Sequence, residues 1–201
     1  MKLITGIILA SASPRRQQLL QRMGLNFEVR TSFFEERASL AKETTLTPED
    51  LAEKLAEGKA WDVAEKYPDA LVIAADTVVA ADGQILGKPQ DEAEAAEMLR
   101  FLSGKWHQVH TGLALRHHAA EKEALTVETT MVHFRALSGK EIDFYVKSGE
   151  PMDKAGAYGI QGLGAVLVDR IEGCFFNVMG LPLTRLTLLL KEFGINLLGG
   201  E

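Results

Sequence analysis

The stretch from Ala70 to Ala81 restricts the fold more than any other part of the chain, because it is apolar throughout except for Asp76 and Thr77. A run of this kind reads as a buried strand, and Asp82-Gly83 turns it back into Gln84 to Leu86 as a hairpin. An unpaired carboxylate inside such a strand would be very costly to bury. Asp76 must therefore meet a cation or a metal, or else sit at a strand end where backbone groups bond it. Lys88, in Gly87-Lys88-Pro89 just past the hairpin, is a candidate partner, and a divalent ion is another.

The rest of the chain alternates strands with helices. Ile4, Ile7, Ile8 and Leu9 form an apolar run suited to a strand covered on both faces. Ser13 then offers an N-cap and Pro14 a first helical position, so Arg15 to Gly24 is predicted as a helix closed by Gly24. Phe27 to Thr31 is a second strand, followed by an acidic loop at Glu35 and Glu36. Thr47 and Pro48 open a helix that turns Leu51, Leu55 and Ala56 inward and runs to Tyr67-Pro68. Asp91 to Leu102 is a helix, Val109 to Leu115 and Leu125 to Phe134 are long strands, and Lys140 to Ser148 is another helix. Gly156 to Gly164 is a glycine-rich loop leading to a strand at Ala165 to Ile171, and Leu183 to Phe193 is the closing helix. This order predicts a mixed α/β layer structure, one domain over 1–201 with a second lobe at roughly 103–150.

The chain has 201 residues, enough for a sizeable core, and a net charge of −6 with 46% apolar residues. Such a surface disfavours nucleic acid and anionic membranes, so a polyanionic ligand needs a local basic pocket or a metal. Cys174 is the single cysteine, which excludes an internal disulfide and fits a reducing, cytoplasmic compartment. Lys2, the run Leu3 to Ala10 and Ala10-Ser11-Ala12 imitate a minimal signal peptide, but one lysine and so short a run favour a first strand. No apolar run approaches the roughly 20 residues that span a bilayer.

Chemistry is concentrated at a few places. Ser11-Ala12-Ser13-Pro14-Arg15-Arg16 puts two hydroxyls and two guanidinium groups at a strand-to-helix turn, an anion site in prospect or a solvated helix start. It lacks the glycines and lysine of a Walker A loop. Glu35 and Glu36 are candidate metal ligands or a solvated acidic loop. His107 and His110, three apart on a strand, face opposite sides and cannot chelate together. Gly156-Ala157-Tyr158-Gly159-Ile160-Gln161-Gly162 suits close backbone approach to a ligand.

Taken in order, these pieces resemble the Maf family of nucleotide pyrophosphatases. The motifs are Leu9-Ala10-Ser11-Ala12-Ser13-Pro14-Arg15-Arg16, Ala75-Asp76-Thr77-Val78-Val79, Leu86-Gly87-Lys88-Pro89, Ser103-Gly104-Lys105 with His107 and Thr111-Gly112, Asp153-Lys154-Ala155-Gly156-Ala157-Tyr158-Gly159-Ile160-Gln161-Gly162, and Gly180-Leu181-Pro182-Leu183. The loop with Tyr158-Gly159-Ile160-Gln161 is similar to the branch acting on dTTP and UTP. The 7-methyl-GTP branch carries a serine and an acidic residue there.

The resemblance implies a mixed, bent central sheet flanked by helices in two lobes, with the nucleotide in the cleft between them. It implies cleavage of a triphosphate to monophosphate and pyrophosphate, a magnesium or manganese ion, a homodimer and a cytoplasmic site. By position, Ser11, Arg15 and Arg16 match the phosphate-holding turn with Thr77 beside it. Glu36 and Asp76 match acidic groups near metal and water, and Lys59, Lys88 and Gln161 match the remaining polar contacts. Ala12 stands where relatives often have glycine. Two other readings fit parts of the pattern: a sugar nucleotidyltransferase, and a nucleotide-binding regulator of cell division without turnover.

Overall fold

A computed structural model describes residues 3–34 and 46–199. The sequence candidates Glu35 and Glu36 lie outside the described residues. Seven strands form one mixed sheet in the order β2 (Glu28–Val29), β1 (Ile7–Leu9), β3 (Leu71–Ala81), β5 (Trp106–His117), β6 (Lys122–Phe134) and β7 (Val168–Glu172), with β4 (Gln84–Leu86) paired to the end of β3. β1 runs parallel to both neighbours, and every other pairing is antiparallel. The helices flanking the sheet are α1 (Pro14–Arg22), α2 (Pro48–Ala64), α3 (Glu92–Leu102), α4 (Gly139–Lys147), α5 (Phe175–Val178) and α6 (Leu183–Glu192).

Local chemistry accounts for most boundaries. Thr47 with Asp50, and Ser138 with Glu141, form reciprocal capping boxes that start α2 and α4, while the Asp91 side chain caps α3. Ser13 occupies the N-cap position of α1 but its side chain makes no cap bond; instead Ser11 Oγ accepts the Ser13 N–H at 3.3 Å. That bond ties the turn back onto the end of β1. α2 stops at Ala64, short of the predicted Tyr67-Pro68, and β2 is only two residues because only Glu28 and Val29 find partners on β1.

The sheet carries different cores on its two faces, and β3 shows where they divide. Its even positions face α2. Val72 and Ala74 join Ala56, Ala60 and Val63 in one cluster, and Val78 joins Leu51 and Leu55 in another. Its odd positions face the other layer. Leu71, Ile73 and Ala75 pack with Leu19, Leu20, Leu186 and Leu190, whereas Val79 and Ala81 pack with Leu99, Phe134 and Tyr145. On each face the apolar packing changes partners at one place, and Asp76 and Thr77 occupy it. β5, from the stretch expected as a second lobe, pairs along β3 from Leu71↔His117 to Ala80↔Gln108 and so borders both odd-face cores.

One glycine sets how close α2 comes. A Cβ on Gly112, the β5 partner of Asp76, would lie 2.1 Å from the Ala52 carbonyl oxygen and 2.7 Å from the Glu53 nitrogen. Helix backbone thus rests on strand backbone beside Asp76. Among the described residues no helix is long and apolar enough to cross a membrane.

Candidate functional site

The break in packing opens into a cleft of about 540 Å³. The turn from Ala10 to Arg16 forms one wall. Lys59 lines it from α2, Asp76 and Thr77 from β3 and Lys88 from the loop after β4, and the loop Tyr158 to Gly162 lines it with Val178 to Gly180. Of the residues singled out in the sequence, Ser11, Arg15, Arg16, Lys59, Asp76, Thr77, Lys88 and Gln161 all line this one cleft.

Asp76 is 4% exposed and finds its cation, but the partner is Lys59 rather than Lys88. Strand alternation explains the difference: Asp76 projects toward α2, where Lys59 lies within the inward stripe of Ala56, Ala60 and Val63. Lys59 Nζ donates to Asp76 Oδ1 at 2.5 Å with both side chains buried. Asp76 Oδ2 is buried with no hydrogen-bond partner among the described residues. A bare carboxylate oxygen at the base of a cleft is a suitable ligand for a hard divalent ion, which needs only one or two carboxylates when phosphate oxygens supply the rest. The described residues contain no cluster of three or more ligand-type side chains. Lys88 is exposed on the cleft wall.

Thr77 points the other way, toward α1. Arg16 donates from Nη2 to Thr77 Oγ1 at 3.0 Å, from Nε to the Gly180 carbonyl at 2.7 Å and from Nη1 to Ser11 Oγ at 3.3 Å. Its guanidinium is held as a plate on the floor of the turn. Arg15 reaches across to Asp153, Nη1 to Oδ2 3.2 Å, and Lys154 meets the other oxygen of Asp153 at 2.6 Å. Burial opposes ionisation of Asp153, but Lys154 and Arg15 outweigh it and hold its carboxyl below the ordinary range.

The glycine-rich loop is built rather than loose. Two short 3-10 turns, Ala155–Ala157 and Gly162–Leu167, shape it. Glu150 accepts from the backbone N–H groups of Leu163 and Gly164, each at 3.0 Å, and from the Tyr145 hydroxyl at 2.9 Å. Burial works against the Glu150 charge, and these donors with Lys154 overcome it, leaving its pKa lowered. Beneath the loop, Tyr158 OH and His107 Nε2 lie 2.7 Å apart. Burial, with His133 adding a smaller repulsion, depresses His107 to about 4, and burial raises the Tyr158 hydroxyl, so both are neutral near pH 7. His110 faces the α2 side, bonded to Thr129 at 2.9 Å, and the two histidines share no ligand geometry.

Sequence reasoning did not single out Glu150 or Asn177. The only signal for Asn177 is a lone amide inside the apolar Phe175-Phe176-Asn177-Val178.

Comparison with known proteins identifies the family. The family model described as Maf-like protein matches residues 6–193. A protein of Acetivibrio thermocellus named dTTP/UTP pyrophosphatase is 49% identical over 199 residues, covering 96% of this chain and 97% of that one. Proteins of the same name from Aquifex aeolicus and Symbiobacterium thermophilum are 50% and 48% identical, each over 194 residues, 96% of this chain and 97% of theirs. Among solved structures, a HAM1 protein from Coxiella burnetii aligns at 17% identity over 92% of this chain and 98% of that one, with a TM-score of 0.46. With a family match over nearly its whole length and relatives at about half identity, the chain belongs to the Maf-like protein family.

Proposed function

We propose that the chain is a nucleoside triphosphate pyrophosphatase that hydrolyses dTTP, UTP and related pyrimidine or modified nucleotides to a monophosphate and pyrophosphate. The observation that carries the reading is the buried Asp76, one oxygen held by Lys59 and the other bare, at the base of a cleft that Arg15, Arg16 and Lys88 also line. A cleft of that charge suits a polyphosphate on a protein whose net charge is negative. The printed name of the relatives supports the choice of dTTP and UTP.

In the proposed reaction water attacks the α-phosphorus. The new bond is phosphorus to water oxygen, the bond to the α,β-bridging oxygen breaks, and pyrophosphate leaves. Asp76 orients the water at Oδ2 while Lys59 on Oδ1 keeps the carboxylate from turning, and a neighbouring carboxylate, Glu36 on the family resemblance, takes the proton. Arg16 and Ser11 hold phosphate oxygens at the turn, Arg15 exchanges Asp153 for substrate, and Lys88 meets the charge developing on the departing group. Thr77 and Gln161 complete the polar contacts. Asp76 would hold a magnesium or manganese ion, with Glu36 joining it on the family resemblance; bound there, the ion neutralises phosphate charge and lowers the pKa of a bound water.

Incubating the purified chain with dTTP and UTP in magnesium or manganese, and separating the products, tests this. Monophosphate with pyrophosphate supports the reading. Orthophosphate, a nucleotide-sugar formed only when a sugar phosphate is added, or binding without products would overturn it. We also propose that the enzyme works as a single two-lobed domain, a homodimer in the cytoplasm. Light scattering on the eluted protein reads the assembly, and a monomer at micromolar concentration would remove that part.

A further inference from the structure

Asn177 takes no part in the hydrolysis proposed above, yet it is fully buried. Its Nδ2 donates to the Val109 carbonyl at 2.9 Å and to Thr130 Oγ1 at 3.0 Å, so one amide ties α5 to β5 and β6 together. Asn177 Oδ1 is buried with no partner among the described residues. An orphaned polar atom of this kind costs stability, and an apolar side chain would avoid the cost. An amide retained there needs a reason outside the core.

The geometry points to Arg16. Two routes of hydrogen bonds lead from Asn177 to that guanidinium. In the first, the Asn177 backbone carbonyl accepts from Thr111 Oγ1 at 3.1 Å, and Thr111 Oγ1 lies 3.0 Å from Thr77 Oγ1, which accepts from Arg16 Nη2. A carbonyl only accepts and a guanidinium only donates, so both hydroxyl protons are forced to point from Arg16 toward Asn177. In the second, the same carbonyl accepts the Gly180 N–H at 2.8 Å, closing the turn in which the Gly180 carbonyl takes Arg16 Nε. Gly180 has φ +98°, and a Cβ there would sit 3.3 Å from Thr77 Oγ1 and 3.4 Å from Arg16 Nε. The positive φ favours glycine at this turn, and a side chain would also crowd the Thr77 hydroxyl.

We infer that Asn177 is a positioning residue for turnover: through Thr111 and Gly180 it sets the Thr77 hydroxyl and the plane of the Arg16 guanidinium before substrate arrives. This rests on the hydrolase reading, in which Arg16 holds phosphate oxygens. A guanidinium held at Nε, Nη1 and Nη2 keeps its plane without reorganising when phosphate charge arrives, which is where preorganised charge has its effect.

Asn177→Leu tests the anchor directly but removes the tie between α5 and the sheet, so the deciding substitution is Thr111→Val, which cuts one route and leaves the Asn177 carbonyl bonded to Gly180. Thr111→Val is expected to lower kcat by roughly tenfold with KM little changed, and Thr111→Ser, which restores the hydroxyl, to recover most of it. In an Arg16→Ala background the same Thr111→Val change is expected to alter kcat by less than about twofold, because the route then ends on nothing. Losses that add fully in the double variant, or a Thr111→Ser protein as impaired as Thr111→Val, would overturn the inference. If wild type releases no pyrophosphate the hydrolase reading falls. The positioning role, defined on turnover, then falls with it, whereas fully additive losses in an enzyme that does release pyrophosphate overturn the positioning role alone.

Discussion

The two faces of β3 meet the cleft one residue apart and solve the problem of a buried polar group in opposite ways. On the α2 face Asp76 carries a charge and is answered by one charge, Lys59, through a single 2.5 Å contact. On the α1 face Thr77 is neutral and belongs to a relay that ends on a backbone carbonyl, with Arg16 as its only cation. The ion pair concentrates its energy in one contact and leaves an oxygen bare for chemistry. The relay spreads its energy over several weak bonds and serves to aim a side chain. Loss of one partner should therefore be severe on the first face and graded on the second.

The largest effect expected is Lys59→Met, which strips the only described donor from Asp76 and leaves its charge buried: about 3–5 kcal/mol of stability lost, read by chemical denaturation. Joining it with Asp76→Val should recover most of that loss. A single variant as stable as wild type would show that Asp76 does not depend on this contact. Asp76→Asn keeps an oxygen for Lys59 and should fold, while turnover of dTTP at saturating magnesium falls by at least about a hundredfold. A near-normal rate would remove Asp76 from the chemistry.

A buried histidine lies on each face and carries the comparison to pH. His107, under the loop, is depressed by burial to about 4; His110, beside α2, is also depressed by burial, against the opposing pull of Glu49. The unfolded chain binds protons below the ordinary histidine pKa while the folded chain does not, so stability should fall as pH drops from about 6.5 toward 4. His107 alone contributes about 2 kcal/mol of that loss between pH 7 and 5. His107→Gln should flatten the slope by that share, and an unchanged slope would contradict the depressed pKa. The smallest effect on the fold is expected at Lys88, exposed on the wall. Lys88→Ala should leave the melting temperature unchanged and slow turnover by about tenfold, the worth of one charge-assisted bond. Unchanged kinetics would take Lys88 out of the site.

β3 was legible because a long apolar run has few places to go, and α2 because Thr47 and Pro48 announce its start. The candidate residues that line the cleft were named from their order along the chain, through the family pattern. What local letters could not show was pairing at long range. Lys88 looked like the partner of Asp76 because it is near in sequence, whereas the helical periodicity of α2 carries Lys59 there from outside the hairpin. α5 escaped notice because four residues are too few to show a period, and Glu150 because its partners are backbone N–H groups of a distant loop.

The bare contact between Gly112 and Ala52 gives the cleft a hard stop. Main chain against main chain leaves no side chain whose exchange could widen or narrow that gap, so the spacing between the lysine-bearing helix and the acidic strand is insulated from drift in the surrounding aliphatic filling. Leucine and alanine positions along α2 are then free to vary in size at some expense of stability while the distance that matters for the reaction stays where the backbone puts it.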